Sequence, residues 1–164
     1  MKGPLCEECV KSGNLCEECV DKQQKGELGE LDIQLARLLQ KLEGRDLVRG
    51  ANFERVFDVE GLILITTRGK VGPLVGKGGR VIRLLSKEFN KKVRIVSVLD
   101  EKTALRDLVA PARIQGINIV YKADGEQTKA IIAREDKYKL IAPLETLQKA
   151  ANMLSEKAVV LEVK

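Results

Sequence analysis

One hydrophobic frame occurs twice along this chain. Sliding the second half onto the first by 65 positions places Val93 on Ala158 and Phe89 on Leu154, so a helical pattern followed by an alternating strand coincides without a gap. The first copy opens with Leu28, Leu31, Leu35, Leu38 and Leu42, which recur at three and four and mark one face of a helix that Gly44 ends. Phe53–Val59 and Leu62–Thr67 read as strands about Gly61, and Val71–Val75 as a short helix. Gly76-Lys77-Gly78-Gly79 interrupts it before a helix over Arg80–Phe89 and a strand over Lys92–Val98. The second copy has a helix near Thr103–Val109 stopped by Pro111, a strand over Arg113–Tyr121, a turn at Asp124-Gly125 and a strand over Gln127–Arg134. A helix over 143–157 and a strand over Ala158–Val163 complete it. Where the first copy has its glycine turn, the second has Ile141-Ala142-Pro143-Leu144, so the frame is repeated and the loop is not.

All four cysteines precede this repeat, in the spacing C-x2-C-x6-C-x2-C: Cys6, Cys9, Cys16 and Cys19. Each close pair can grip one ion, and Ser12-Gly13-Asn14 can turn the chain so that four sulfurs form a tetrahedron. The expectation is one structural Zn2+; iron in a four-sulfur site, an iron–sulfur cluster and disulfides are the alternatives. Four thiolates close the coordination shell, which predicts a staple and not a catalytic centre. Glu7, Glu8, Glu17 and Glu18 add negative charge, so this knuckle is expected to repel nucleic acid and to serve packing or protein docking.

The net charge of +5 is unevenly placed. Residues 1–30 carry 4 basic and 7 acidic side chains, whereas Arg68 to Arg94 holds nine basic residues against the single acid Glu88. A patch of that kind suits a polyanion, because each phosphate it neutralises releases condensed counterions. The bland alternative is a solvated helix face. The glycine turn inside the patch is not a P-loop: only three residues separate Gly72 from Gly76, and Gly78 follows Lys77 where a hydroxyl would be needed for magnesium. It also lacks the spacing of a dinucleotide fingerprint. Gly76 and Gly79 can adopt backbone angles closed to other residues, and the amides opening the next helix favour an anion. A plain interhelical turn is the competing reading of the same glycines.

The segment "GPLVGKGGRVIRLLSKEFNKKVRIV" resembles the KH units of the transcription factor NusA, and the arrangement from Leu31 to Lys164 is similar to archaeal NusA-like proteins with two tandem KH units. The resemblance implies an α+β fold of two type II KH units, each helix-strand-strand-helix-helix-strand with a three-stranded sheet and helices on one face. The second unit is degenerate, and the zinc-binding knuckle lies outside the KH pattern. The expected boundaries are 1–26 for the knuckle and its polar linker, 27–99 for the unit with the loop, and 100–164 for the unit without it. The resemblance further implies a cytoplasmic, non-catalytic protein that clamps about four nucleotides of single-stranded RNA in transcription elongation or termination. Gly76, Lys77, Gly78, Gly79, Arg80, Arg83, Lys87, Arg68 and Lys70 would meet the backbone, and Val71, Leu74, Val75 and Ile82 the bases. RNA polymerase and ribosomal particles are the candidate protein partners. The second unit is expected mainly to pack and fix the first groove, with Lys137 and Lys139 near a backbone.

A ribosome-associated or ribosome-assembly role is the alternative within the same chemistry, and a redox-sensing scaffold the alternative outside it. An enzyme finds little support: there is no histidine, and pairs such as Asp100/Glu101 and Glu135/Asp136 lie beside turns where solvated carboxylates are common. Apolar runs fall short of the roughly 18 to 20 residues that cross a bilayer, and the amino terminus shows no signal-peptide core, so neither a membrane nor a small-molecule substrate is expected. Aromatic side chains are scarce, three Phe and two Tyr, which argues against an RRM or OB stacking surface.

Overall fold

The computed structural model describes residues 3–45, 51–155 and 157–164; positions 1–2, 46–50 and 156 of the expected units lie outside the described residues. Two short helices at the amino terminus, α1 (Glu7–Ser12) and α2 (Glu17–Gln24), precede the long α3 (Glu30–Gly44). The polar stretch read as a linker is therefore partly helical, since α2 runs through Gln24. Then follow β1 (Arg55–Val59), β2 (Leu62–Thr67), α4 (Gly72–Val75), a 3-10 turn (Lys77–Gly79), α5 (Arg80–Phe89) and β3 (Lys92–Ser97). The same order returns in α6 (Glu101–Val109), β4 (Ile114–Lys122), β5 (Gly125–Ile132), a 3-10 segment (Arg134–Lys139), α7 (Leu144–Leu154) and β6 (Ala158–Val163). The fold is α+β with two similar units.

The two sheets have one topology. In each, the first two strands are antiparallel and the last runs parallel to the middle one, in the orders β1-β2-β3 and β4-β5-β6. A parallel partner needs a crossover, which α4–α5 supply in the first unit and the 3-10 segment with α7 in the second. Leu62 pairs with Lys92, but Gln127 with Ala158, so the second crossover is one residue longer.

Within each unit the helices lie on one face of the sheet, as expected, but the far face of the first sheet is not open. Strand β2 is buried along its whole length, and its alternation sends Ile63 and Ile65 to one core and Leu62 and Leu64 to another. The first core joins Ile63, Ile65, Val93 and Ile95 to Leu35 and Leu39 of α3 and Val81 and Leu85 of α5. The second joins Leu62, Leu64 and Val96 to Leu105 and Leu108 of α6, Leu147 and Ala151 of α7, and Ala130, Ile132 and Leu161 of the second sheet. The layers thus alternate: helices, first sheet, the second unit's helices, second sheet. This explains why a short run such as Leu62–Ile65 is continuously apolar, because a parallel strand covered on both faces has no solvent side. Polar ties reinforce the contact: Glu60 accepts from Thr146 Oγ1 at 3.1 Å and pairs with Lys149, and the Ser97 amide donates to Asp107 at 2.9 Å.

Among the described residues no helix is long and apolar enough to cross a membrane.

Candidate nucleic-acid interface and metal centre

The glycine turn is built by backbone conformation. Gly76 has φ 77° and ψ 167°, a combination essentially closed to residues with a Cβ, and Gly78 and Gly79 have φ 63° and 76°. Gly76 is needed twice over: a Cβ there would stand 2.5 Å from Val81 Cγ2 and 2.8 Å from the Val81 amide nitrogen. At Gly78 nothing lies within 4 Å of such an atom, so this residue faces open space. The turn is closed by the Gly79 amide donating to the Gly76 carbonyl at 3.1 Å and leads straight into α5, which has no side-chain cap on its first amides.

From that start a row of cations runs along one helical face. Lys77, Arg80, Arg83 and Lys87 are all exposed, at spacings of three and four, and none has an acidic partner among the described residues. Of the other basic residues of the patch, all but Lys70 are engaged or partly buried. Arg68 pairs with Glu54 at 2.7 Å and Lys91 with Asp58, holding the Asp58 carboxyl below its ordinary range. Lys92 donates to the Ile141 carbonyl at 2.8 Å. Arg94 is half-buried, and burial lowers its pKa against the opposing pull of Asp107. Lys70 is exposed at the end of β2, near the turn. Of the four apolar residues expected in the groove, Leu74 is fully buried in the first core and cannot meet a base; Val71, Val75 and Ile82 are half-buried against that core. A residue at helical spacing in a four-residue helix has one inward position, and Leu74 takes it.

The second unit has no such turn. Pro143 directly precedes α7, where a missing amide hydrogen costs nothing, and the preceding 3-10 segment itself carries three cations: Arg134, Lys137 and Lys139. Asp136 departs from its expectation as a solvated carboxylate. It is buried, accepting from the Arg113 side chain at 2.9 Å, Lys139 at 3.0 Å and the Arg113 amide at 3.0 Å, and these bonds hold its pKa well below the usual carboxylate range. Asp100 caps α6 by accepting from the Thr103 amide at 2.8 Å.

The four cysteines come together as the spacing predicts. Their sulfurs all lie within 4.8 Å of one another, and Cys6 and Cys16 Sγ are 3.9 Å apart. That is far beyond a disulfide bond and matches the ~3.8 Å edge of a tetrahedron with Zn–S bonds near 2.3 Å. The sequence Leu-Cys-Glu-Glu-Cys-Val stands twice, ten residues apart, and each copy places its first cysteine at a helix start and its second inside the first turn. This exact duplication is a signal that spacing arguments alone pass over. Gly13, at φ 81°, reverses the chain between the copies. The Cys16 amide donates to Cys9 Sγ at 3.0 Å and draws that thiol's pKa down, but burial and the neighbouring sulfurs outweigh it and push it up to about 12. Cys16 is lowered to about 7, chiefly by the Cys19 amide. Such crowding of buried thiols is what a cation relieves, and the donor set fits one. The knuckle does not stand apart: Leu5, Cys9, Val10 and Cys19 share the first core with α3, and Arg37 of α3 donates to the Gly13 carbonyl.

No protein-family model matches the chain. Over 87 residues it is 22% identical to the Methanococcus vannielii protein named "Probable transcription termination protein NusA", a match covering 52% of this chain and 47% of that protein. The chain therefore spans about half the length of the curated relative it matches. The crystal structure of APE1850 shares the fold with a TM-score of 0.51 at 20% identity, covering 77% of this chain and 96% of that one.

Proposed function

We propose that this chain is a non-catalytic, NusA-like binder of single-stranded RNA, acting on transcripts during elongation or termination. The observation that carries the reading is the Gly76–Gly79 turn, with three residues at positive φ, opening onto exposed Lys77, Arg80, Arg83 and Lys87, which have no acidic partner among the described residues. The open space at Gly78 lets a sugar–phosphate chain approach the backbone, the first amides of α5 favour its negative charge, and the cations continue the track. Arg68, though paired with Glu54, and Lys70 sit at its margin. The unit over 27–99 is the RNA-binding part. The unit over 100–164 supports it from beneath the sheet, and the knuckle over 1–26 holds one structural Zn2+ through Cys6, Cys9, Cys16 and Cys19. The partial likeness to a NusA protein supports the transcription context.

The test is fluorescence anisotropy with a short unstructured RNA across a salt series, comparing the natural chain with Lys77→Asp/Gly78→Asp. Four phosphate contacts predict a slope of log affinity against log salt of roughly −3. The variant should lose most of its affinity while circular dichroism stays unchanged, because neither residue is buried. Retained affinity in a folded variant would reduce the loop to a turn.

A further inference from the structure

The chain's aromatic side chains divide sharply. Phe53 is 3% exposed and Phe57 and Phe89 are packed against the two cores, whereas both tyrosines are exposed, Tyr121 at 76% on β4 and Tyr138 at 82%. Tyr138 is the more exposed of the two. The segment carrying it is not loose. Asp136, two residues before it, is buried beneath three donors, the Arg134 amide is bonded to the Lys164 carbonyl at 2.9 Å, and the Leu140 amide to the Lys137 carbonyl at 3.4 Å. The fold thus ties the start of the 3-10 segment to β6 and its middle to Arg113, and presents the ring outward from that base.

Its surroundings carry both signs: Lys139 is held by Asp136 at 3.0 Å, and exposed Glu135 lies 3.6 Å from Arg113. Arg134 and Lys137 are exposed with no acidic partner among the described residues, and the Lys139 ammonium stands 5.8 Å from the Tyr138 ring centroid. The chain just beyond the segment touches the first unit. Ile141, three residues on, accepts from Lys92, which opens β3 just past the end of α5. The Lys92–Ile141 bond is thus where the far end of the first unit's crossover, about 15 Å along α5 from the glycine turn, touches the chain that leads back to Tyr138.

We infer that Tyr138 is a stacking platform for a base of the same strand, with Arg134 and Lys137 on the adjoining phosphates, so that the second unit binds nucleic acid without a glycine loop. The inference rests on the RNA-binding reading above. A flat ring beside unpaired cations is the combination that takes single-stranded nucleic acid in a sequence-tolerant way, since every base has a face to stack. A protein-docking hot spot would instead show the ring ringed by apolar neighbours.

The full chain provides its own probe: it has no tryptophan and two tyrosines, so in Tyr121→Phe the emission of Tyr138 is read alone. Adding an oligouridine of about 12 nucleotides should quench that emission, and Tyr138→Ala should weaken its binding about ten-fold. Tyr138→Phe should restore it, because the ring and not the hydroxyl makes the stack. An RNA of about four nucleotides, long enough only for the loop, should bind the Ala variant as it binds the natural chain. Unchanged affinity of Tyr138→Ala for the longer RNA, with no quenching, overturns the inference and leaves the ring to a protein partner. If Lys77→Asp/Gly78→Asp keeps its affinity while Tyr138→Ala loses it, the loop reading fails and this one stands. If the natural chain binds neither RNA, both fall.

Discussion

The two units share strand order, strand direction and helix placement, yet they treat the crossover from middle to last strand differently. The first spends three positive-φ glycines on a tight exposed turn; the second crosses with one more residue, a 3-10 segment and Pro143. The sheet needs only that the chain return parallel, so the crossover is free to vary. Gly76 shows why the glycine version is a commitment, because the chain there passes too near Val81 for any side chain. The architecture is thus maintained by burial, and the chemistry is placed where burial makes no demand.

The comparison can be broken most forcefully through the appendage that the first unit has and the second lacks. Cys9→Ser removes a buried sulfur from the four-cysteine cluster, and zinc content should fall to background with the thermal midpoint lowered by roughly 10 °C. Hydrogen exchange sharpens this, since amides of α3 should lose protection before those of α7. Next in size, Leu64→Ala opens a cavity between the first sheet and the second unit's helices and should cost about 3 kcal/mol in denaturant unfolding. A single transition is expected; two separate ones would make the units independent.

Within the loop, Gly76→Ala should cost about 2–3 kcal/mol, from both its ψ and the Val81 clash, against about 1 kcal/mol for Gly78→Ala. Equal costs would deny Gly76 its special position. The effect that depends on pH belongs to Asp136. Its folded-state pKa lies below the unfolded value, so its stabilisation is fully present above the ordinary carboxylate range and is lost as pH falls through the folded value. Asp136→Asn should therefore be less stable than the natural chain at neutral pH, with the gap narrowing below about pH 4. A gap that does not narrow in acid would show that the carboxylate's charge is not what holds Arg113.

Much of this was legible from residues alone. Strands β2 and β6 and helix α5 have the limits read from their patterns, because Leu62–Thr67 and Ala158–Val163 are short apolar, β-branched runs and Arg80–Phe89 keeps a helical period. The cysteine cluster was legible because its ligands are local and the six-residue spacer can only turn back. The helices of the knuckle were not, since six and eight residues are too short for a hydrophobic period to stand out.

What the sequence by itself determined is the order of elements, their repetition, the glycine turn and the sulfur ligands, all properties of neighbours along the chain. Only the tertiary structure decided which cations of the basic patch are free. Glu54 meets Arg68, Asp58 meets Lys91, Ile141 meets Lys92 and Asp107 faces Arg94 across gaps of 13 to 49 residues. Pairings at that range follow from how sheets and helices stack, and a one-dimensional pattern of charge holds no record of them.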